Sequence, residues 1–176
     1  ISSNKKFTFT TNSVGLTVDG QNYTVTITGT EFKGLFQNGD GSNPGKQNIT
    51  IKNFIIDRLT NNVTLANSEG WLCQKYFSNG VTNNNIINCS SSGNISTSGG
   101  GICGILAGYK GNLTITGCSS TGPIGELAGG ICGSYAGDDG NITIENCYST
   151  GPLESYAGGI CGESAGGNGT VNVTNC

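Results

Sequence analysis

The sequence contains no histidine and no methionine, only three prolines and a single tryptophan. Without histidine there is no His-ligated zinc site, and acid–base chemistry loses its commonest side chain near neutral pH. Charged residues make up 11%, against roughly 25% in an ordinary soluble domain. No Lys/Arg cluster exists, so a basic nucleic-acid face is excluded. No stretch approaches the roughly 20 apolar residues of a membrane-spanning helix. The good helix formers Ala, Leu, Glu and Lys are scarce, so helices are disfavoured.

What is present is 31 glycines, eight cysteines, and a surface built from Asn, Ser and Thr. Gly and the β-branched residues suit short strands joined by tight turns. Ile, Val, Leu, Phe and Tyr recur at regular places, which argues for a packed core. The net charge of −3 is unevenly spread. Residues 1–99 hold seven bases and five acids, a balance of +2; residues 100–176 hold Lys110 against six acids, a balance of −5.

The C-terminal part repeats itself. Residues 100–128 read GGICGILAGYKGNLTITGCSSTGPIGELA, and residues 129–157 read GGICGSYAGDDGNITIENCYSTGPLESYA, sharing 17 of 29 positions. Residues 158–176 begin a third copy, GGICGESAGGNGTVNVTNC, which the sequence leaves partway. Residues 70–99 are a 30-residue copy carrying Trp71, Tyr76 and Phe77. Residues 34–69 are a worn copy, in which Phe36 and Phe54 take the places of the two cysteines. Earlier still, Phe7 and Phe9, then Leu16 and Val18, then Tyr23, Val25 and Ile27 alternate as strands do.

Repeats of this length mean solenoids or propellers, and 29 residues are too few for a four-stranded blade. The expected fold is all-β: a single right-handed parallel β-helix over residues 1–176, about 29 residues per coil, five to six coils. Residues 1–69 form irregular N-terminal coils and residues 70–176 the regular ones. Equivalent residues then stack about 4.8 Å apart. Inward ladders are Ile102/Ile131/Ile160, Leu113/Ile142/Val171 and Ile115/Ile144/Val173. Outward rows are Thr114/Thr143/Asn172 and Thr116/Glu145/Thr174. Lys110 falls one repeat before Asp139, which predicts a surface ion pair. Strict alternation cannot point Ile102 and Cys103 the same way, so a bend is expected there.

The cysteines fall in two columns: Cys73, Cys103, Cys132, Cys161 and Cys89, Cys118, Cys147, Cys176. Their number and the absence of Cys-x-x-Cys point to disulfides, and so to an oxidising compartment or an exposed surface. Three pairings fit the repeat: within a coil, across the shorter gaps, or down a column. Same-coil bridging, Cys73–Cys89, Cys103–Cys118, Cys132–Cys147 and Cys161–Cys176, is favoured because it leaves none over; parallel Cβ vectors fit a column bridge poorly. The alternative to any bridge is two buried columns of reduced thiols.

GGICG followed by GNITIENCYSTG, residues 129–151, resembles the GLUG repeat, whose pattern runs G-G-L-V-G and then G-x-I-x-N-C-Y-A-T-G. The likeness covers residues 70–176 well and 34–69 loosely, and departs from the pattern where Cys stands for the Val of GGLVG. The Cys-rich form also resembles repeat proteins of giant viruses and their protist hosts. The resemblance implies a β-helix outside the cell or on a particle, as in large bacterial surface proteins and adhesins, and supplies no catalytic residues.

Candidates for chemistry are sparse. Asp138 with Asp139 reads as a solvated turn without the ligand spacing of a Ca²⁺ loop. Glu126 with Glu154, and Glu145 with Glu163, are the other carboxylate pairs that a polysaccharide-cleaving β-helix would need. No catalytic, metal or cofactor set is therefore expected. Nine Asn-x-Ser/Thr sequons are candidate glycosylation sites in a eukaryotic secretory host: Asn22, Asn48, Asn62, Asn94, Asn112, Asn141, Asn168, Asn172, and the weaker Asn88. The functional expectation is a structural or adhesive surface protein, a rigid stalk or fibre unit that self-associates head-to-tail, with a glycan or cell-surface ligand. A carbohydrate-binding or polysaccharide-degrading β-helix is the alternative, and an ice-binding Thr face a third. A start at Ile1 implies an upstream segment, and the broken third copy implies either more chain or a covering subunit.

Overall fold

A computed structural model describes residues 1–2, 5–10, 15–60 and 62–176. Fifteen short strands and no helix occur among the described residues. In chain order they are β1 Phe7–Thr8, β2 Leu16–Asp19, β3 Thr24–Ile27, β4 Glu31–Phe32, β5 Phe36–Gln37, β6 Ile49–Lys52, β7 Ile55–Arg58 and β8 Thr64–Leu65. There follow β9 Asn84–Ile87, β10 Ser90–Ser91, β11 Asn112–Thr116, β12 Ser119–Ser120, β13 Asn141–Glu145, β14 Tyr148–Ser149 and β15 Thr170–Thr174. The strand pairings among the described residues are all parallel, each strand with its equivalent one lap away. One sheet runs β15-β13-β11-β9-β6-β2, a second β14-β12-β10-β7-β3. The fold is a β-solenoid of about six laps.

The regular laps keep the sequence period. Leu113 pairs with Ile142 and Ile142 with Val171, 29 residues apart each time. The early laps are longer: Leu16 pairs with Ile49, and Phe36 with Cys73. The surplus is carried in turns such as that around Asp40, whose carboxylate accepts the amides of Ser42 and Asn43 at 2.8 Å. Phe36 does stand in the cysteine column, and Phe54, just before β7, stands one lap below Cys89.

The corner between the two main sheets is made by a left-handed residue: Asn53, Asn88, Gly117 and Asn146 have φ between 52° and 66°. Asn and Gly tolerate that conformation best. It explains the Asn-Cys pair of the repeat: the Asn turns the chain and the next residue points inward.

The bend expected between Ile102 and Cys103 is present. The Ile131 carbonyl accepts both the Ile102 and the Cys103 amide at 3.0 Å, and the Ile160 carbonyl takes Ile131 and Cys132 alike. Two residues opposite one acceptor form a bulge-like step, so neighbours both face inward; Ile102 and Cys103 are fully buried. The same fork joins Leu35 and Phe36 to Leu72.

Trp71 fills the interior where other laps have glycine, against Phe32 at 5.6 Å between centroids, with its Nε1 donating to the Asn94 carbonyl at 3.1 Å. Asn84 is the exception among the aliphatic ladders. It pairs with Leu113 and is buried. Its Oδ1 accepts the Ile49 amide at 2.9 Å, and its Nδ2 donates to the Lys46 carbonyl and the Ser78 hydroxyl.

Candidate functional site

The densest collection of reactive groups lies inside. All eight cysteines are free thiols in this structure, so none of the bridges Cys73–Cys89, Cys103–Cys118, Cys132–Cys147 and Cys161–Cys176 is formed. The two columns are as the repeat requires: Cys73, Cys103, Cys132 and Cys161 bridge lap to lap, and the amides of Cys89, Cys118 and Cys147 point at the next sulfur down their own column at 3.3–3.4 Å. Direct thiol contacts therefore run between coils, Cys73 with Cys103 and Cys118 with Cys147. Across the columns the same-coil partners Cys73 and Cys89, Cys132 and Cys147, and Cys161 and Cys176 sense one another electrostatically, and so do the shorter-gap partners Cys89 and Cys103, and Cys147 and Cys161.

Burial pushes the Cys73 and Cys103 thiols up, as desolvation disfavours a thiolate. Cys132 is raised first by its contact with Cys103 and then by burial. The second column is polarised. The Cys118 thiol, donating to Cys147, draws Cys147 down to about 7, and Cys118 itself is raised. A proton shared between two stacked sulfurs belongs to the pair. Among the described residues no three His, Cys, Asp or Glu side chains converge as a metal site would need.

Outside, the six-stranded sheet carries one polar row: Thr17, Thr50, Asn85, Thr114, Thr143 and Asn172 in register. The next row reads Asp19, Lys52, Ile87, Thr116, Glu145 and Thr174, with Lys52 paired to Asp19 at 3.2 Å. The Thr column is longer than the three copies suggested, because the irregular early laps share its register.

The carboxylate pairs do not converge. Glu154 lines an open groove of about 290 Å³ with Arg58, Asn67, Asn94 and Thr97; Glu126 does not line it, and its lap partner is Ser155, not Glu154. Glu145 stands on β13, while Glu163 follows Cys161 in a turn. Asp138 accepts the Asn168 amide at 3.0 Å, a contact between adjacent laps. The expected Lys110–Asp139 ion pair is not made: the Lys110 ammonium lies over the Tyr109 ring, 4.9 Å from its centroid. The aromatic face is nearer than a carboxylate one lap on.

The sequons are mostly open. Asn22, Asn62, Asn88, Asn94, Asn112, Asn141, Asn168 and Asn172 are exposed, and Asn48 is half-buried. Asn141 donates to the Asn112 amide oxygen at 3.1 Å, so these two sit on adjacent laps. Two features escaped sequence reasoning. One is the buried Asn84, whose only signal is an Asn where the ladder has Leu, Ile or Val. The other is the set of left-handed corner residues that are neither Gly nor Asn, which no local pattern announces.

Comparison with protein-family models, with curated proteins and with solved structures finds no match.

Proposed function

We propose that the chain is a rigid rod displayed outside a cell or on a particle, serving as a stalk, fibre unit or adhesin. The observation that carries this is the unbroken parallel sheet of six strands, held in register from Leu16 to Thr174. Such stacking resists bending and presents the same side chains every lap. In an oxidising setting the same-coil thiols pair and pin each lap; the resemblance to surface-protein repeats fits that setting. The +2 half and the −5 half favour a head-to-tail contact between copies.

Negative-stain electron microscopy, with binding of the purified chain to whole cells, tests the proposal. Rods that decorate surfaces or build filaments are expected. Compact particles that neither associate nor bind would overturn it. The Thr17-to-Asn172 row favours ice binding as a second reading, since a flat hydroxyl array orders water. Thermal hysteresis supports it; unshaped ice growth rejects it.

A further inference from the structure

The regular laps place a cysteine at the same two inward positions every time. Phe36 and Phe54 take those positions in an earlier lap, so the core there accepts groups of very different size. A neighbouring ladder drifts: Asn84, Leu113, Ile142 and Val171 share one column. Sulfur, rather than bulk, is what the two cysteine columns keep.

The sulfurs form two rows along the axis. The Cys103 thiol faces Cys73 on one side and Cys132 on the other, and in the second row Cys118 faces Cys89 and Cys147. The second row repeats its geometry closely. The Cys118 sulfur takes the Cys89 amide at 3.4 Å and lies 3.5 Å from the Thr116 carbonyl and 3.8 Å from the Ile86 carbonyl. The Cys147 sulfur takes the Cys118 amide at 3.3 Å and lies 3.3 Å from the Glu145 carbonyl and 3.7 Å from the Ile115 carbonyl. Equal surroundings on successive laps mean equal rotamers, so these sulfurs stand one lap step apart, about 4.8 Å.

That step selects a coordination geometry. A metal–thiolate bond is about 2.3 Å long, so two of them end to end span about 4.6 Å. An ion in line between two stacked sulfurs therefore fits with little movement. A tetrahedral ion such as Zn²⁺ needs three or four donors around one point, and among the described residues no three converge. Soft thiolates favour Cu(I), a monovalent d10 ion that is stable with two donors in line. The second row is walled by the buried Ile86, Ile115 and Ile144, which keep water and hard oxygen ligands away. The Cys89 and Cys118 amides, aimed at the sulfurs, stabilise the negative charge that two thiolates and one such ion retain.

We propose that the reduced chain binds soft monovalent cations of the Cu(I) class, each in line between two sulfurs stacked on adjacent laps, as Cys118 and Cys147 are. Two S–H bonds break and two Cu–S bonds form. Both protons go to solvent, and neither copper nor sulfur changes oxidation state. The ion ties one lap to the next and binds only the folded stack, so loading raises the melting temperature. The inference concerns free thiols and is independent of the surface-rod reading.

The test keeps the whole chain reduced under nitrogen and titrates Cu(I) against a chromophoric Cu(I) chelator. Zn²⁺ is the control ion, and melting is followed by circular dichroism. Two variants keep four thiols each. The stacked variant, Cys132→Ala, Cys147→Ala, Cys161→Ala and Cys176→Ala, retains sulfurs on adjacent laps. The alternate variant, Cys103→Ala, Cys118→Ala, Cys161→Ala and Cys176→Ala, retains them on every second lap. Both keep two same-coil pairs, so only the stacking differs. The parent and the stacked variant are expected to hold Cu(I) and to melt higher with it. The alternate variant is expected to bind about a hundredfold or more weakly, at or beyond the cost of losing an outer-shell partner. Zn²⁺ is expected to leave the melting temperature unchanged. Equal Cu(I) affinity in the two variants would assign the metal to same-coil or scattered thiols and overturn the inference. So would a parent that melts no higher with Cu(I), or one that Zn²⁺ stabilises as much. X-ray absorption of the loaded parent decides the matter even where a variant fails to fold: two sulfurs per copper are expected, and three or four would overturn the in-line site.

Discussion

Phe36 and Phe54 meet edge to face across the core, 5.2 Å between ring centroids, in the positions that Cys73 and Cys89 take one lap later. The later coils hold thiols at these positions, and Cys73 and Cys89 sense each other electrostatically across the coil. Air-oxidised protein digested without reduction is therefore expected to yield the peptides joining Cys73–Cys89, Cys103–Cys118, Cys132–Cys147 and Cys161–Cys176. Each closes a loop of about 15 residues, worth roughly 3 kcal/mol in the chain-entropy model, so reduction lowers the melting temperature. Peptides joining Cys89 to Cys118 would instead assign the bridges to the columns.

Gly93 is set by Trp71. A β-carbon there would stand 2.1 Å from the indole Cζ2, and the fully buried ring has nowhere to go. Gly93→Ala is expected to cost about 3 kcal/mol in urea denaturation, at the upper end of core overpacking. A neutral result would mean the ring is not seated as described.

Asn84 bolts two laps together from inside the aliphatic ladder. Asn84→Ala leaves the buried Ile49 amide without its partner, while the Lys46 carbonyl keeps the Asn38 Nδ2, so a loss of about 1–3 kcal/mol is expected by the same measurement.

The buried serine ladder gives a paired comparison. The Ser91 hydroxyl donates to the Gly101 carbonyl at 2.7 Å, whereas the Ser120 hydroxyl is buried and meets no partner among the described residues. Ser91→Ala should cost about 1 kcal/mol, while Ser120→Ala should be neutral or stabilising. Equal losses would refute the difference.

Asp40 and Asp19 set the acid limb. The Ser42 amide lowers the Asp40 carboxyl and the Gln21 amide lowers that of Asp19, so both favour the ionised form when folded. Their stabilisation is present above the unfolded pKa near 3.8 and disappears as pH falls through the lower folded values. Asp40→Asn removes that stabilisation, so it should lower the melting temperature at pH 7 and flatten its fall below that pH, the variant and parent converging in acid.

The repeat made the solenoid legible because one lap equals one copy: Ile115, Ile144 and Val173 could be stacked by counting. The two cysteine columns and the place of Phe36 and Phe54 followed from the same count. Counting fails where geometry is set across laps. It could not show that one carbonyl at Ile131 would hold two amides, which is what lets Ile102 and Cys103 both turn inward. It placed Lys110 beside Asp139 by spacing alone, although a tyrosine ring lay closer. It paired Glu126 with Glu154, although the register sets Glu126 against Ser155. The bulky left-handed corners at Tyr135 and Tyr156 are backbone facts with no side-chain pattern to betray them.

The stacking itself is open to a direct measurement. In isotope-labelled protein, parallel pairing places the backbone protons of Thr114, Ile115 and Thr116 beside those of Thr143, Ile144 and Glu145, and these in turn beside Asn172, Val173 and Thr174. Nuclear Overhauser cross-peaks are expected at a constant step of 29 residues along all three strands. Cross-peaks whose partners run in opposite directions, or at steps of three and four residues, would contradict the solenoid.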